Sequence, residues 1–171
     1  MAVITGSRPT AAGSGGAVAK RSRMPRSVGY VWGILRLAMG WVFFWSFIDK
    51  LFGLGFATAA DKGWLEGGSP TLGFLKFGTT GPLAGFFQGL ATSEAVEWLF
   101  MLGLAGIGVA LLLGIGVRVA AVAGIAIYAL IYLAGFIPPE HNPFLDEHVI
   151  NAIILAGLAL AGSGRYLGLG G

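Results

Sequence analysis

Residues 94–137 read EAVEWLFMLGLAGIGVALLLGIGVRVAAVAGIAIYALIYLAGFI, and this stretch decides the fold. It holds two apolar runs, about Glu94 to Leu113 and about Val119 to Ile137, the second without a single charge. Each is close to the roughly 20 residues that carry a helix across bilayer hydrocarbon. Gly114, Gly116 and Arg118 make a tight turn between them, so the stretch reads as a transmembrane hairpin. Hydrocarbon offers no water to pair with backbone groups, which leaves helices as the open-ended way across.

Upstream, a first span runs from about Val28 to Phe52 and carries Arg36, Asp49 and Lys50; downstream, a fourth runs from about Pro143 to Gly162. The connection from about Gly53 to Ser93 is rich in Gly and holds Pro70 and Pro82. Pro138–Pro139 cannot continue a helix and should end the third span. Asn142–Pro143 reads as an N-cap and first helical residue for the fourth, with Asp146 and Glu147 in or near a first turn whose dipole favours them. The expected fold is an all-α integral membrane four-helix bundle, with spans at 28–52, 94–113, 119–137 and 143–162 in a domain covering 26–171.

Composition agrees. Of 171 residues 56% are hydrophobic and 11% charged, with a mean hydropathy of +0.79. A water-soluble domain carries about a quarter charged residues, and so few here leave too little polar surface to cover a globule. The absence of cysteine excludes a thiol relay, a disulfide, an iron–sulfur cluster and a thiolate zinc site within the chain.

Much of the net charge of +3 comes from Arg8, Lys20, Arg21, Arg23 and Arg26. A basic block before an apolar helix is a topology signal rather than a nucleic-acid arm. Residues 1–25 lack the apolar core of a signal peptide and read as a disordered basic cytoplasmic tail. Arg118 and Arg165 fall on the same side as this tail, while Asp61, Glu66, Glu140, Asp146 and Glu147 fall on the other. The positive-inside rule then places both termini in the cytoplasm of a multi-pass cell-membrane protein.

Small residues mark helix contacts: Gly103, Gly106, Ala110 and Gly114 on the second span, Ala120 and Gly124 on the third, Ala152 and Ala156 on the fourth. The segment 73–90, GFLKFGTTGPLAGFFQGL, is apolar and aromatic but broken by Gly and Pro before it could cross. It reads as interfacial, either re-entrant or lying on the surface over the outer mouth of the bundle.

On an ideal helix Arg36, Gly40, Phe43, Phe47 and Lys50 share one face. A guanidinium in hydrocarbon costs about 2.5–3.5 kcal/mol, so Arg36 either faces the bundle with a partner or snorkels to cytoplasmic headgroups. Lys50, Glu97, His148 and Asn151 all fall at the outer end, with Asp49, Glu94, His141 and Asn142 nearby. They suggest a shared polar pocket or proton path; for Glu94, Glu140 and Asp61 ordinary interfacial caps are the simpler reading. His141 and His148 lack the spacing that chelates from one helix face, and neither a metal nor a haem site is expected. No phosphate-binding loop or nucleophile elbow is present.

A quinone suits these materials, because it needs an apolar slot and a few hydrogen-bonding groups near the membrane surface. Phe43, Phe44, Trp45, Phe47, Trp98 and Phe100 could line the slot. Arg36 and Lys50 would hold charge or quinone oxygens, Glu97 and His148 would handle protons, and Asn151 would complete the head-group contacts.

Several stretches taken together resemble the DoxX/DoxD family of small four-span membrane proteins. They are RLAMGWVFFWSFIDKLFG (36–53), GPLAGFFQGLA (81–91), GIGVALLLGIGVRVAA (106–121), NPFLDEHVINAIIL (142–155) and the closing GSGRYLGLG (162–170). With GGSPTLGFLK (67–76) the chain looks more like the DoxD branch, the membrane subunit of thiosulfate:quinone oxidoreductase. The resemblance implies thiosulfate oxidation to tetrathionate at the outer face, reduction of membrane quinone, and a second, DoxA-type subunit. Membrane lipid and a second copy of the chain are the other expected partners; nucleic acid is not one. The alternative function is a non-catalytic membrane scaffold that docks redox or stress-response proteins. Transport would need a polar path right through, which the uncharged third span opposes.

Overall fold

The computed structural model describes residues 25–135 and 144–170. Residues 1–24 of the expected tail, the helix stop at Pro138–Pro139, and Glu140, His141, Asn142 and Pro143 lie outside the described residues.

Five α-helices form: α1 (Arg26–Phe52), α2 (Ala84–Gly89), α3 (Glu94–Leu113), α4 (Val117–Ala134) and α5 (Glu147–Leu160). Short 3₁₀ turns and one π-turn, Phe74–Gly78, fill the connection, and no strand forms among the described residues. Helices α1, α3 and α4 are long and apolar enough to cross a membrane; α5 is apolar but has 14 residues. At 1.5 Å per residue α5 covers about 21 Å.

Two helix ends follow from local chemistry. Gly114 closes α3 at φ +76°, a left-handed conformation that a Cβ would oppose. The start of α5 differs from the expected Asn142–Pro143 cap. Phe144, Leu145 and Asp146 are not helical, and the Asp146 side chain accepts from Val149 N at 3.0 Å, so the helix begins at Glu147. A carboxylate already seated on an orphan amide defines the N-cap there.

Packing orders the helices. Gly40 and Gly108 bring α1 and α3 together: a Cβ at Gly40 would lie 2.9 Å from Leu112 N, and one at Gly108 2.7 Å from Phe44 N. Gly124 of α4 takes Leu155 of α5, and Gly157 of α5 takes the Trp32 ring of α1. Helices α1 and α3 therefore lie side by side, as do α4 and α5, and the residues after α5 return to the start of α1, where Tyr166 packs on Gly29 and Gly33. The shared core holds Met39, Phe43, Leu104, Leu111, Leu155 and Leu158.

The outside is as apolar as the inside. Leu99 is 74% exposed, Val119 76%, Ile153 63% and Leu160 89%. A surface of this kind suits lipid and would drive aggregation in water. The chain is a membrane protein.

The connection has a small core of its own. Leu75, Phe87 and Ala91 bury together with Ala134 at the end of α4, and Thr80 N donates to Ala134 O at 2.9 Å. The segment 73–90 is thereby fixed over the ends of α3 and α4, with Phe77 and Phe86 exposed.

Candidate functional site

The sequence candidates separate into three places. Arg36 lies ten residues into α1, at the end where the start of α1 meets the residues after α5. Its side chain is fully buried, and the guanidinium donates to main-chain carbonyls of Leu111, of Leu112 (3.0 Å), of Tyr166 (3.2 Å) and of Leu167 (2.7 Å). Burial rules out snorkelling. The final carbonyls of α3 carry about half a negative charge between them, which offsets the cation without a carboxylate. Lys50 is 14 residues further along α1, about 21 Å away. Arg36 therefore ties α1, α3 and the closing segment together and stands apart from the polar residues at the connection end.

At the connection end a second group forms on the α1 and α3 side. Ser69 Oγ donates to Glu97 Oε1 and accepts from Leu72 N at 3.1 Å, which seats Glu97 on the connection. Trp98 packs edge-on to Trp64 with centroids 4.6 Å apart and is otherwise exposed. Asp49 is buried and accepts from Phe56 N (3.2 Å) and Ala57 N (3.0 Å), anchoring the loop that leaves α1. Lys50 is half-buried beside it, and Phe47 packs against the main core.

The third group lies where α4 meets the start of α5. His148 Nδ1 is 2.7 Å from Asp146 Oδ2. An ionised carboxylate only accepts, so Nδ1 carries the proton and, in the neutral ring, Nε2 keeps its lone pair. Asn151, one turn on, lies beside the Tyr128 hydroxyl. The Tyr128 ring meets that of His148 edge-on at 5.9 Å and that of Phe43 at 5.2 Å. Tyr132, one turn beyond, donates to Phe144 O at 3.1 Å. The arrangement is an oriented imidazole, a phenol and an amide beside an apolar wall. It can bind a polar head group and exchange a proton with it.

His148 and Asn151 are thus brought together. No hydrogen bond or ring contact among the described residues joins them to Glu97, Trp98 or Lys50. Tyr128 was not singled out from the sequence. Its signal was there: two tyrosines, Tyr128 and Tyr132, lie four apart in an otherwise uncharged span and so share a face.

Asp146→Ala is expected to cost about 1 kcal/mol through the lost cap. Thermal melts in detergent check this; an unchanged melting temperature would sink the cap reading.

Comparison with family models, with curated proteins and with solved structures found no match to this chain.

Proposed function

We propose that this chain is the membrane subunit of a quinone-linked oxidoreductase, with α5 and the residues before it as the fourth span and both termini cytoplasmic. The observation that carries the reading is the His148–Asp146 pair packed against Tyr128, at the end of the bundle that this orientation puts outermost. The donor set fits a quinone: the Tyr128 hydroxyl and the Asn151 amide beside it are groups that hydrogen-bond a carbonyl oxygen. His148 Nε2 is the atom that would take or give a proton, and Asp146 holds the ring for it. Asp146 also stabilises the imidazolium that forms when the proton arrives.

The DoxD-like motifs supply the electron donor in this reading. Two thiosulfates, a quinone and two protons give tetrathionate and quinol, with two electrons passing from sulfur to the quinone. A DoxA-type partner would complete the enzyme on the outer side. Glu97 and Lys50 belong to a separate patch in this proposal, and the segment 73–90 is interfacial, its exposed Phe77 and Phe86 meeting the outer headgroup layer.

Membranes over-expressing the chain, with and without a second subunit supplied, should reduce a short-chain quinone on addition of thiosulfate. His148→Ala should lower that rate by about 10²-fold or more, the range for a lost acid–base group. Undiminished turnover in the variant would remove His148 from the site. No thiosulfate-dependent reduction in either preparation would favour the docking scaffold. That second reading rests on the connection, which exposes Phe56, Leu65, Phe77 and Phe86 around its own small core.

A further inference from the structure

The α3/α4 seam is unlike the others. Where α1 meets α3 and α4 meets α5, Gly40, Gly108 and Gly124 are crowded by the neighbouring helix. Between α3 and α4 the helices part instead and leave an open groove of about 370 Å³, floored by Gly103, Gly106, Ala110, Ala120 and Ala123. A Cβ at Gly106 would meet nothing within 4 Å, so the groove is deep enough to admit a further chain of atoms. Ile127 closes in on Gly103 towards the connection end. In the other direction Val119 and Ala123 are shared with a neighbouring hollow on α4, whose lining includes the exposed Arg118 as its one charged residue.

Charge decides what fits there. Asp49, Asp61, Glu66, Glu94, Glu97, Asp146 and Glu147, the described carboxylates, all lie at the connection end of the helices or in the connection itself. None is near Arg118. A second copy docked side by side in the same orientation would offer this groove no carboxylate, and about a twofold axis it would set one Arg118 against another. An anionic phospholipid offers an acyl chain for the apolar floor and a phosphate at headgroup level for the cation.

We propose that the α3/α4 groove is the seat of one anionic phospholipid, its acyl chain along Gly106 and Ala123 and its phosphate on Arg118. The proposal is independent of the quinone reading, which concerns the opposite end of α4.

The full chain, purified and delipidated in detergent, is titrated with phosphatidylglycerol or with phosphatidylcholine of the same chain length, and retained lipid is read by native mass spectrometry. Phosphatidylglycerol should be held in preference. Arg118→Gln should weaken its retention about fivefold, the worth of one arginine at a charged lipid surface. Gly106→Leu, which fills the groove from an uncrowded position, should weaken both lipids. Arg165→Gln, an exposed cation at the same end but outside the groove, should change nothing. Equal retention of the two lipids, or an equal loss in Arg165→Gln, overturns the proposal. So does a Gly106→Leu variant that keeps its lipid but converts a dimer to a monomer, because the occupant would then be a second copy.

Discussion

Replacing Arg36 with methionine is expected to destabilise the protein by about 3–5 kcal/mol, the loss typical of removing one partner from a buried charge-assisted network. Methionine fills much of the volume, but it leaves the carbonyls of Leu112, Tyr166 and Leu167 without the Arg36 donor and that of Leu111 with Gly114 N. The closing segment should suffer first. Leu167 holds a left-handed φ of +54°, which costs an L-residue about 1–2 kcal/mol, and the Arg36 bond to its carbonyl helps keep it there. Trypsin cleavage after the exposed Arg165 should accelerate in the variant, alongside a lower melting temperature in detergent. Arg36→Lys should recover only part of the loss, because one ammonium cannot span carbonyls on two segments as the guanidinium fork does. If Arg36→Met melts like wild type with Arg165 equally protected yet loses quinone reduction, Arg36 serves chemistry rather than architecture.

The second large effect concerns two glycines of α3, of which only Gly106 lies on the small-residue stripe read from the sequence. Gly108→Ala should cost about 1–3 kcal/mol, since the added methyl would sit 2.7 Å from Phe44 N and must push α1 away from α3. Gly106→Ala, two residues earlier on the same helix, meets open space and should stabilise the helix by about 0.5–1 kcal/mol. Gly40→Ala should behave like Gly108→Ala. The double variant should cost less than the two summed, because both methyls open the same seam. Unfolding of the four proteins in one detergent gives the comparison directly. Equal effects at 106 and 108 would mean that α1 and α3 do not approach as closely as the structure has them.

The motif Arg36–x₃–Gly40 gains a physical meaning from these contacts. Gly40 lets the α1 backbone reach α3, and at that spacing Arg36 reaches the carbonyls that end the same helix. The closing GSGRYLGLG segment supplies the other half of the cradle, with Gly114 and Gly168 leaving room around the guanidinium. None of this is visible in spacing, because the partners of Arg36 are main-chain carbonyls about 75 and 130 positions away.

Much was legible in the sequence for a simple reason. Lipid imposes its demand locally, on every residue of a crossing helix, so the uncharged run through Val119–Ala134 and the charge-poor runs around it announce membrane helices by themselves. Glycine and proline punctuation likewise acts within a turn, and Gly114 ends α3 through its own φ. The start of α5 is the exception: Asn142–Pro143 reads as its cap, whereas the Asp146 carboxylate seated on Val149 N starts the helix at Glu147.

Which side chains meet across helices was decided only by the tertiary structure. Small residues at helical spacing mark a face but not its neighbour, so Gly103 and Gly106 look like seam residues and instead floor an open groove, while Gly108 forms the seam. Polar residues at one end of the bundle look like one site, yet Glu97 is taken by Ser69 of the connection and His148 by Asp146. Tyr128 meets His148 because α4 and α5 run antiparallel in this register. Hydrophobicity is a property of each residue and can be read along the chain, whereas a hydrogen bond or a close packing contact belongs to a pair, and only the fold chooses the pair.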